Sequence, residues 1–200
     1  MDLFSNETTN LLPCDGDVLY YGPVMGAEKA NHYLQALLKT IAWRHDEVII
    51  FGKRIVTKRK VAWYGDAGLD YTYSGITRQP LAWTEELLQL KQLAEERTGA
   101  SYNSCLLNLY HDGSEGMSWH SDDENTLIHH AAIASMSFGA ERKFSFKHKK
   151  KALTASVMLQ HGSLLVMQGA TQTHWLHSLP KTVKVSKPRI NLTFRRMAQP

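Results

Sequence analysis

Apolar and polar residues alternate in two different rhythms along this chain. In residues 27–43, Ala30, Tyr33, Leu34, Leu37, Leu38 and Ile41 recur at helical spacing, which predicts a helix with one buried face. A second helix is predicted over about residues 84–97. Thr84 caps it, Leu87, Leu90, Leu93 and Ala94 form its stripe, and Gly99 ends it. Around these lie short strand patterns: residues 17–21, stopped by Gly22-Pro23; residues 48–51, ending at Gly52; and residues 61–64, running into a glycine turn. Beyond Gly99 the rhythm is strand-like throughout. Residues 104–110, 131–138, 142–146, 156–159, 163–167, 172–177 and 189–195 alternate apolar with polar positions between Gly, Asp, Lys or Pro. Many short, evenly spaced strands predict a sandwich or jelly roll. The change near Gly99 reads as a boundary inside one domain rather than a linker.

Composition narrows the class. The 200 residues, 43% hydrophobic, suit one globular domain with a real core. A net charge of +4 permits a polyanionic partner without requiring one. Two cysteines, Cys14 and Cys105, make no disulfide framework and fit a reducing compartment. Residues 1–10 are polar, with no apolar core of an export signal, and no apolar run approaches membrane-spanning length. The expectation is a cytoplasmic protein with no membrane association, and nothing in the pattern asks for more than a monomer.

Two side-chain arrangements carry chemistry. His120 and Asp122 are two residues apart, so on an extended chain imidazole and carboxylate point the same way and can share one ion. A third ligand must come from elsewhere. His177 is the candidate, against His111, His129, His130, His148, His161 and His174. Two histidines and one carboxylate on one face leave the opposite positions open, the arrangement of non-haem Fe(II) oxygenases; zinc accepts the same donors. In the second arrangement Arg189, Asn191 and Arg195 share one face of a strand, with Ile190, Leu192 and Phe194 on the other. A pair of guanidiniums facing a cavity needs an anion, and two of them beside a metal point to a ligand with two carboxylates. The alternation shows that one face is buried and does not say which. Asn108 and Tyr110 repeat the pattern and offer further donors.

Several of these stretches together resemble the AlkB family of Fe(II)/2-oxoglutarate-dependent dioxygenases. They are Asn108-Leu109-Tyr110, His120-Ser121-Asp122-Asp123-Glu124, the stretch from Ser135 to Ala140, His161-Gly162-Ser163, the stretch from His174 to Pro180, and the stretch from Pro188 to Arg195. Upstream, the segments 64–68 and 71–75 resemble the nucleotide-recognition lid of that family's DNA-repair branch. The resemblance runs over about residues 51–195. It implies an α+β fold: a double-stranded β-helix (jelly roll) core over about 100–197, a lid over about 45–80, N-terminal helices and a loose segment of about 1–16. It also implies Fe(II) on His120, Asp122 and His177, 2-oxoglutarate as cosubstrate, and O2. Arg189 would grip the distal carboxylate, Arg195 would sit by the carboxylate next to the keto group, and Asn108, Tyr110 and Asn191 would complete the pocket.

The activity so implied is oxidative demethylation of N-alkylated DNA bases such as 1-methyladenine and 3-methylcytosine, with RNA or a protein side chain as alternative substrates. A binding module without catalysis is the alternative of another class. A methyl group on a base-pairing edge is out of reach inside a duplex, so the nucleotide must leave the stack. By the resemblance Tyr73 stacks on the base opposite His120, Tyr71 and Ser74 lie in the lid, and Phe51 is either a wedge that fills the vacated gap or a core residue. Asp123 and Glu124 would either favour a cationic lesion or stand as loop carboxylates in solvent. The basic runs 53–60 and 147–151 are either solvated turns or phosphate contacts, with 147–151 a hairpin tip that leans to nucleic acid.

Overall fold

The computed structural model describes residues 9–50, 53–69, 71–73 and 76–198. The chain opens with β1 (Asp17–Pro23), α1 (Ala27–Thr40), β2 (Arg44–Ile50), β3 (Lys53–Gly65), β4 (Tyr71–Tyr73), β5 (Ile76–Arg78) and α2 (Glu85–Thr98). It continues with β6 (Ser104–Tyr110), β7 (Met117–His120), β8 (Ile133–Gly139), β9 (Arg142–His148) and β10 (Thr154–Leu159). It closes with β11 (Ser163–Gln168), α3 (Thr171–His174), β12 (Trp175–Leu179) and β13 (Arg189–Arg195).

Two antiparallel sheets form the body of the protein. The larger has the order β1-β11-β8-β13-β6-β3-β2 and the smaller β10-β9-β12-β7; β4 and β5 pair separately. Mostly β-structure in two facing sheets fits the expected jelly roll. The strands before Gly99 are not a separate layer, however. β1 pairs with β11, and β3 pairs with β6, so the early chain closes both edges of the larger sheet.

The helices form where their patterns predict. Thr84 accepts a hydrogen bond from the Leu87 N–H at 3.3 Å, and Gly99, at φ +68°, ends α2 in the left-handed conformation that glycine adopts without strain. Ala30, Tyr33 and Leu37 of α1 and Leu87, Leu90 and Ala94 of α2 are buried. They pack in one cluster with Leu107, Met136, Phe138, Leu164, Ile190, Leu192 and Phe194 from the outer face of the larger sheet. A second cluster, with Val18, Phe146, Leu165, Met167 and Trp175, fills part of the space between the sheets. The rest of that space is polar.

Three expectations change on contact with the structure. Residues 172–177 are not one strand: Thr171 to His174 form a short helix, and β12 starts at Trp175. The basic run 53–60 is not a turn but part of the 13-residue β3. On β13 the question of which face is buried has an unexpected answer, because both are. Ile190, Leu192 and Phe194 face the helices at 0% exposure, and Arg189, at 2%, faces the smaller sheet. Phe51 and Ser74 lie outside the described residues. Tyr71 and Tyr73 lie in β4, where the backbone pairing with β5 is described and the side chains are not.

Candidate active site

His120 and His177 sit opposite each other on the paired strands β7 and β12. Their rings are 4.2 Å apart between centroids. His120 Nδ1 lies 2.8 Å from the Ser118 carbonyl oxygen, so that carbonyl takes its N–H and leaves Nε2 free as a donor to an ion. Phe144 and Phe146 flank His177, with centroids at 5.4 and 6.4 Å. Asp122, two residues past the end of β7, turns Oδ1 to within 3.8 Å of His120 Nε2 and 4.0 Å of His177 Nε2. One ligand atom from each of the three lies within 4.8 Å of the others, the only such cluster among the described residues.

The charge states suit metal binding. Burial, the dominant influence, lowers the His177 imidazole to about 4 against the pull of Asp122, so it is a neutral donor at physiological pH. Burial on its own would raise the Asp122 carboxyl. Arg195, His177 and His120 outweigh it and hold the group below the usual carboxylate range. The donor set is therefore two neutral imidazoles and one carboxylate, all facing one point.

Behind this cluster lies a cavity of about 190 Å³ lined by β6 and β13. Arg189 stands opposite Tyr110, and Asn191 opposite Asn108. The polar alternation seen in the sequence thus puts four donors on one wall. Arg189 donates to Ser137 Oγ at 2.9 Å, and its guanidinium lies 5.6 Å from the centroid of the Tyr110 ring. Its Nε has no partner. Burial lowers the Arg189 guanidinium to about 10, with Tyr110 pulling the other way, so the group keeps its proton at neutral pH. A buried cation with an unmet N–H is costly unless an anion completes it. Arg195 lines the same cavity with different neighbours. It donates to Asp122 Oδ1 at 2.9 Å and to Glu124 Oε1 at 3.4 Å. Burial works against its charge, and Asp122 and Glu124 more than compensate.

Residues 17–195 match the family model described as the 2OG-Fe(II) oxygenase superfamily. The chain belongs to that superfamily. The human DNA oxidative demethylase ALKBH2 is 40% identical over 188 residues, covering 88% of this chain and 72% of the relative. Human alpha-ketoglutarate-dependent dioxygenase alkB homolog 3 is 38% identical over 188 residues, 89% of this chain and 65% of the relative. In fold, the chain is similar to a solved structure titled "The structure of OsALKBH1", with a TM-score of 0.61 and 15% identity over 92% of this chain and 98% of that one.

As a 2OG-Fe(II) oxygenase the protein uses Fe(II), 2-oxoglutarate and dioxygen. The residues present fit that set. Two imidazoles and a carboxylate are donors for iron with positions left open, and the unmet Arg189 N–H is a place for a carboxylate. The rival histidines of the oxygenase have other partners: His111 bonds Glu115, His148 bonds Asp15, His161 bonds Asn31, and His129 stacks on His130. At the mouth, Glu124 is half exposed against Arg195, while Asp123 is 67% exposed and bonded to Ser121. The run 147–151 divides by residue: Lys149 reaches Ser121, Lys151 pairs with Asp15 at 2.5 Å, and Lys150 bonds His148 through its backbone N–H.

Sequence reasoning passed over Ser135 and Ser137, which bond Asn191 and Arg189. Their two-residue spacing was the available signal. It also passed over Gln172, whose partner lies 50 positions away and leaves no local trace.

No described helix is long and apolar enough to cross a membrane.

Proposed function

We propose that this oxygenase demethylates N-alkylated bases in DNA, with 1-methyladenine and 3-methylcytosine as substrates, and so repairs them by direct reversal. The observation that carries the reading is the meeting of His120, Asp122 and His177 in front of the buried, incompletely bonded Arg189. The name of a relative 40% identical over 88% of the chain, a DNA oxidative demethylase, supports the substrate class. Two free cysteines suit a reducing, cytoplasmic setting, and we read the protein as a monomer.

Bound iron, with 2-oxoglutarate and O2, supplies a two-electron oxidation of the N-methyl carbon, which leaves as formaldehyde while 2-oxoglutarate leaves as succinate and CO2. The chain's own work is placement. His120, Asp122 and His177 hold the metal and leave its remaining positions open. Arg189 fixes the distal carboxylate of 2-oxoglutarate through its planar fork. Tyr110, Asn108 and Asn191 line that carboxylate's approach. Arg195 serves the carboxylate beside the keto group from its station on Asp122. At the mouth His120 offers one face of its ring to a base drawn out of the stack, and Tyr73 covers the other. Tyr71 and Ser74 complete the lid, and Phe51 fills the gap left in the duplex. Asp123 and Glu124 favour a base made cationic by methylation.

The test is mass spectrometry of oligonucleotides carrying 1-methyladenine or 3-methylcytosine, as DNA and as RNA, incubated with Fe(II), ascorbate and 2-oxoglutarate. Loss of 14 mass units from DNA (about one CH2, the net change of a demethylation) that stops when iron or 2-oxoglutarate is omitted is the expected result. No loss from any alkylated DNA, or loss from RNA alone, would refute the substrate assignment.

A further inference from the structure

The three metal-facing side chains are held very differently. His120 and His177 stand on paired strands, where the ladder fixes the backbone. Asp122 does not: β7 ends at His120, and no strand resumes until β8 at Ile133. A carboxylate on an unpaired loop has freedom that a strand residue lacks, and metal affinity falls when ligands must be ordered on binding. Arg195 of β13 holds the carboxylate itself at 2.9 Å, but the loop backbone that carries it must be fixed from outside the sheet.

Two residues do so. The Asp122 N–H donates to Gln172 Oε1 at 2.9 Å. Gln172 sits on α3, and its amide N–H reaches Met167 Sδ at 3.5 Å, which sets the orientation of the amide. Lys149 then ties the same loop from the β9–β10 turn. Its Nζ donates to Ser121 Oγ at 3.0 Å and to the Gln172 carbonyl at 2.8 Å, and lies 3.8 Å from Asp123 Oδ2. Ser121 Oγ in turn donates to Asp123 Oδ2 at 2.9 Å. The Lys149 backbone N–H bonds the His174 carbonyl at 2.8 Å, so the lysine is anchored to α3 by main chain and side chain alike. Both lysines are exposed, but Lys150 bonds only through its backbone N–H, to His148 Nδ1.

We propose that Gln172 and Lys149 are positioning residues that hold the Ser121–Asp123 loop in its metal-binding conformation, and that Lys149 is therefore distinct in role from Lys150 beside it. The proposal rests on the reading of Asp122 as a metal ligand.

Co(II), which reports its coordination by visible absorbance, is titrated into the full-length protein purified free of metal. Gln172→Ala and Lys149→Ala are expected to weaken Co(II) binding about 10- to 100-fold, with the melting temperature of the metal-free protein within about 3 °C of the parent. Gln172→Glu, which keeps an acceptor for the Asp122 N–H, and Lys149→Arg, which keeps a cationic donor, should stay within about threefold of the parent. Lys150→Ala should bind Co(II) as the parent does. Should Gln172→Ala not fold, the Lys149 pair reads the same tether from its other end. Parent-like Co(II) affinity in both alanine variants overturns the proposal. So does a loss in Lys149→Ala confined to oligonucleotide binding, which would make it a phosphate contact. Asp122→Ala separates the two levels: if it binds Co(II) like the parent, the ligand assignment has failed and not the tether.

Discussion

Arg189 should show two effects of opposite sign. Without cosubstrate it is a fully buried cation with its Nε unpartnered, so Arg189→Met removes a desolvated charge and fills most of its volume. Replacing a buried charge with an apolar side chain is commonly neutral or stabilising by about 1–4 kcal/mol. In a chain of this size each kcal/mol gained raises the melting temperature by about 2–4 °C, so it should be unchanged or higher. With 2-oxoglutarate bound, the same guanidinium makes charge-assisted bonds to a carboxylate out of reach of water. Losing one partner of such a pair costs about 3–5 kcal/mol, which is about 100- to 1,000-fold or more in affinity. Arg189→Lys keeps the charge but not the fork and should fall between. The assay pairs differential scanning calorimetry of the metal-free protein with 2-oxoglutarate half-saturation measured from succinate release. A melting temperature lowered in step with activity would mean that Arg189 is a structural residue. An unchanged half-saturation in Arg189→Met would remove it from the cosubstrate site.

Three further outcomes are expected. His177 has its proton affinity depressed to about 4 in the fold from an ordinary 6.5, so the unfolded chain binds the proton first as pH falls. Stability is then full above about pH 6.5 and declines down to about pH 4, by on the order of 3 kcal/mol; urea melts of metal-free His177→Gln should be flatter across that window, and identical slopes would refute the assignment. Gly139, at φ +89°, would place a Cβ 2.3 Å from the Pro188 carbonyl oxygen, just before Arg189. Gly139→Ala should cost at least about 2 kcal/mol and raise the 2-oxoglutarate requirement; urea melts and succinate-release titrations that match the parent would refute it. Glu124→Gln should narrow the preference for cationic 1-methyladenine over a neutral methylated base by about 1.5- to fivefold, in line with a partly exposed charge contact; an unchanged ratio of kcat/KM values would place Glu124 outside recognition.

Much of the site was legible because strands write their geometry into sequence with a period of two. Asn108 and Tyr110, Arg189 and Asn191, and His120 each announce a shared face, and pairing across β6, β13, β7 and β12 delivers them to one cavity. Helix ends were legible for a similar reason: Thr84 and Gly99 act within four residues of where they stand. What was not legible is whatever depends on a distant partner. The entry of β1 and β3 into the larger sheet is decided by pairings across more than forty residues, as in Tyr64 with Cys105. The short helix before β12 was hidden because its few residues carry no stripe. Gln172 looked like part of a strand, and nothing near it hints at Asp122. One sequence signal was available and unused: none of the 19 acidic residues and 12 of the 23 basic ones lie beyond Glu141.

That asymmetry bears on how the cavity works. Its carboxylates, Asp122 and Glu124, come from the loop after β7, and its guanidiniums, Arg189 and Arg195, come from β13 in the acid-free part of the chain. The wall around Arg189 carries no counter-charge, since Ser137, Tyr110 and Asn108 are all neutral, so it attracts a dianion such as 2-oxoglutarate. The mouth carries Glu124 and the exposed Asp123, so it attracts a cation. Arg195 stands between the two, bonded to Asp122 and Glu124 at once. Without that cation, Asp122 and Glu124 would face each other across a low-dielectric gap and repel. With it, a carboxylate that faces the metal site and one that faces the substrate coexist in one small cavity. The same bond links them: a base that draws Glu124 away from Arg195 leaves Arg195 to Asp122 and the cosubstrate alone. Arg195→Lys, which keeps the charge but loses the planar fork that spans the two carboxylates, should keep its shorter contact to Asp122 at 2.9 Å and loosen the longer one to Glu124 at 3.4 Å. Its effect on Co(II) affinity should therefore be small while its effect on lesion preference is large, and equal losses in the two measurements would show that Arg195 serves only the metal side.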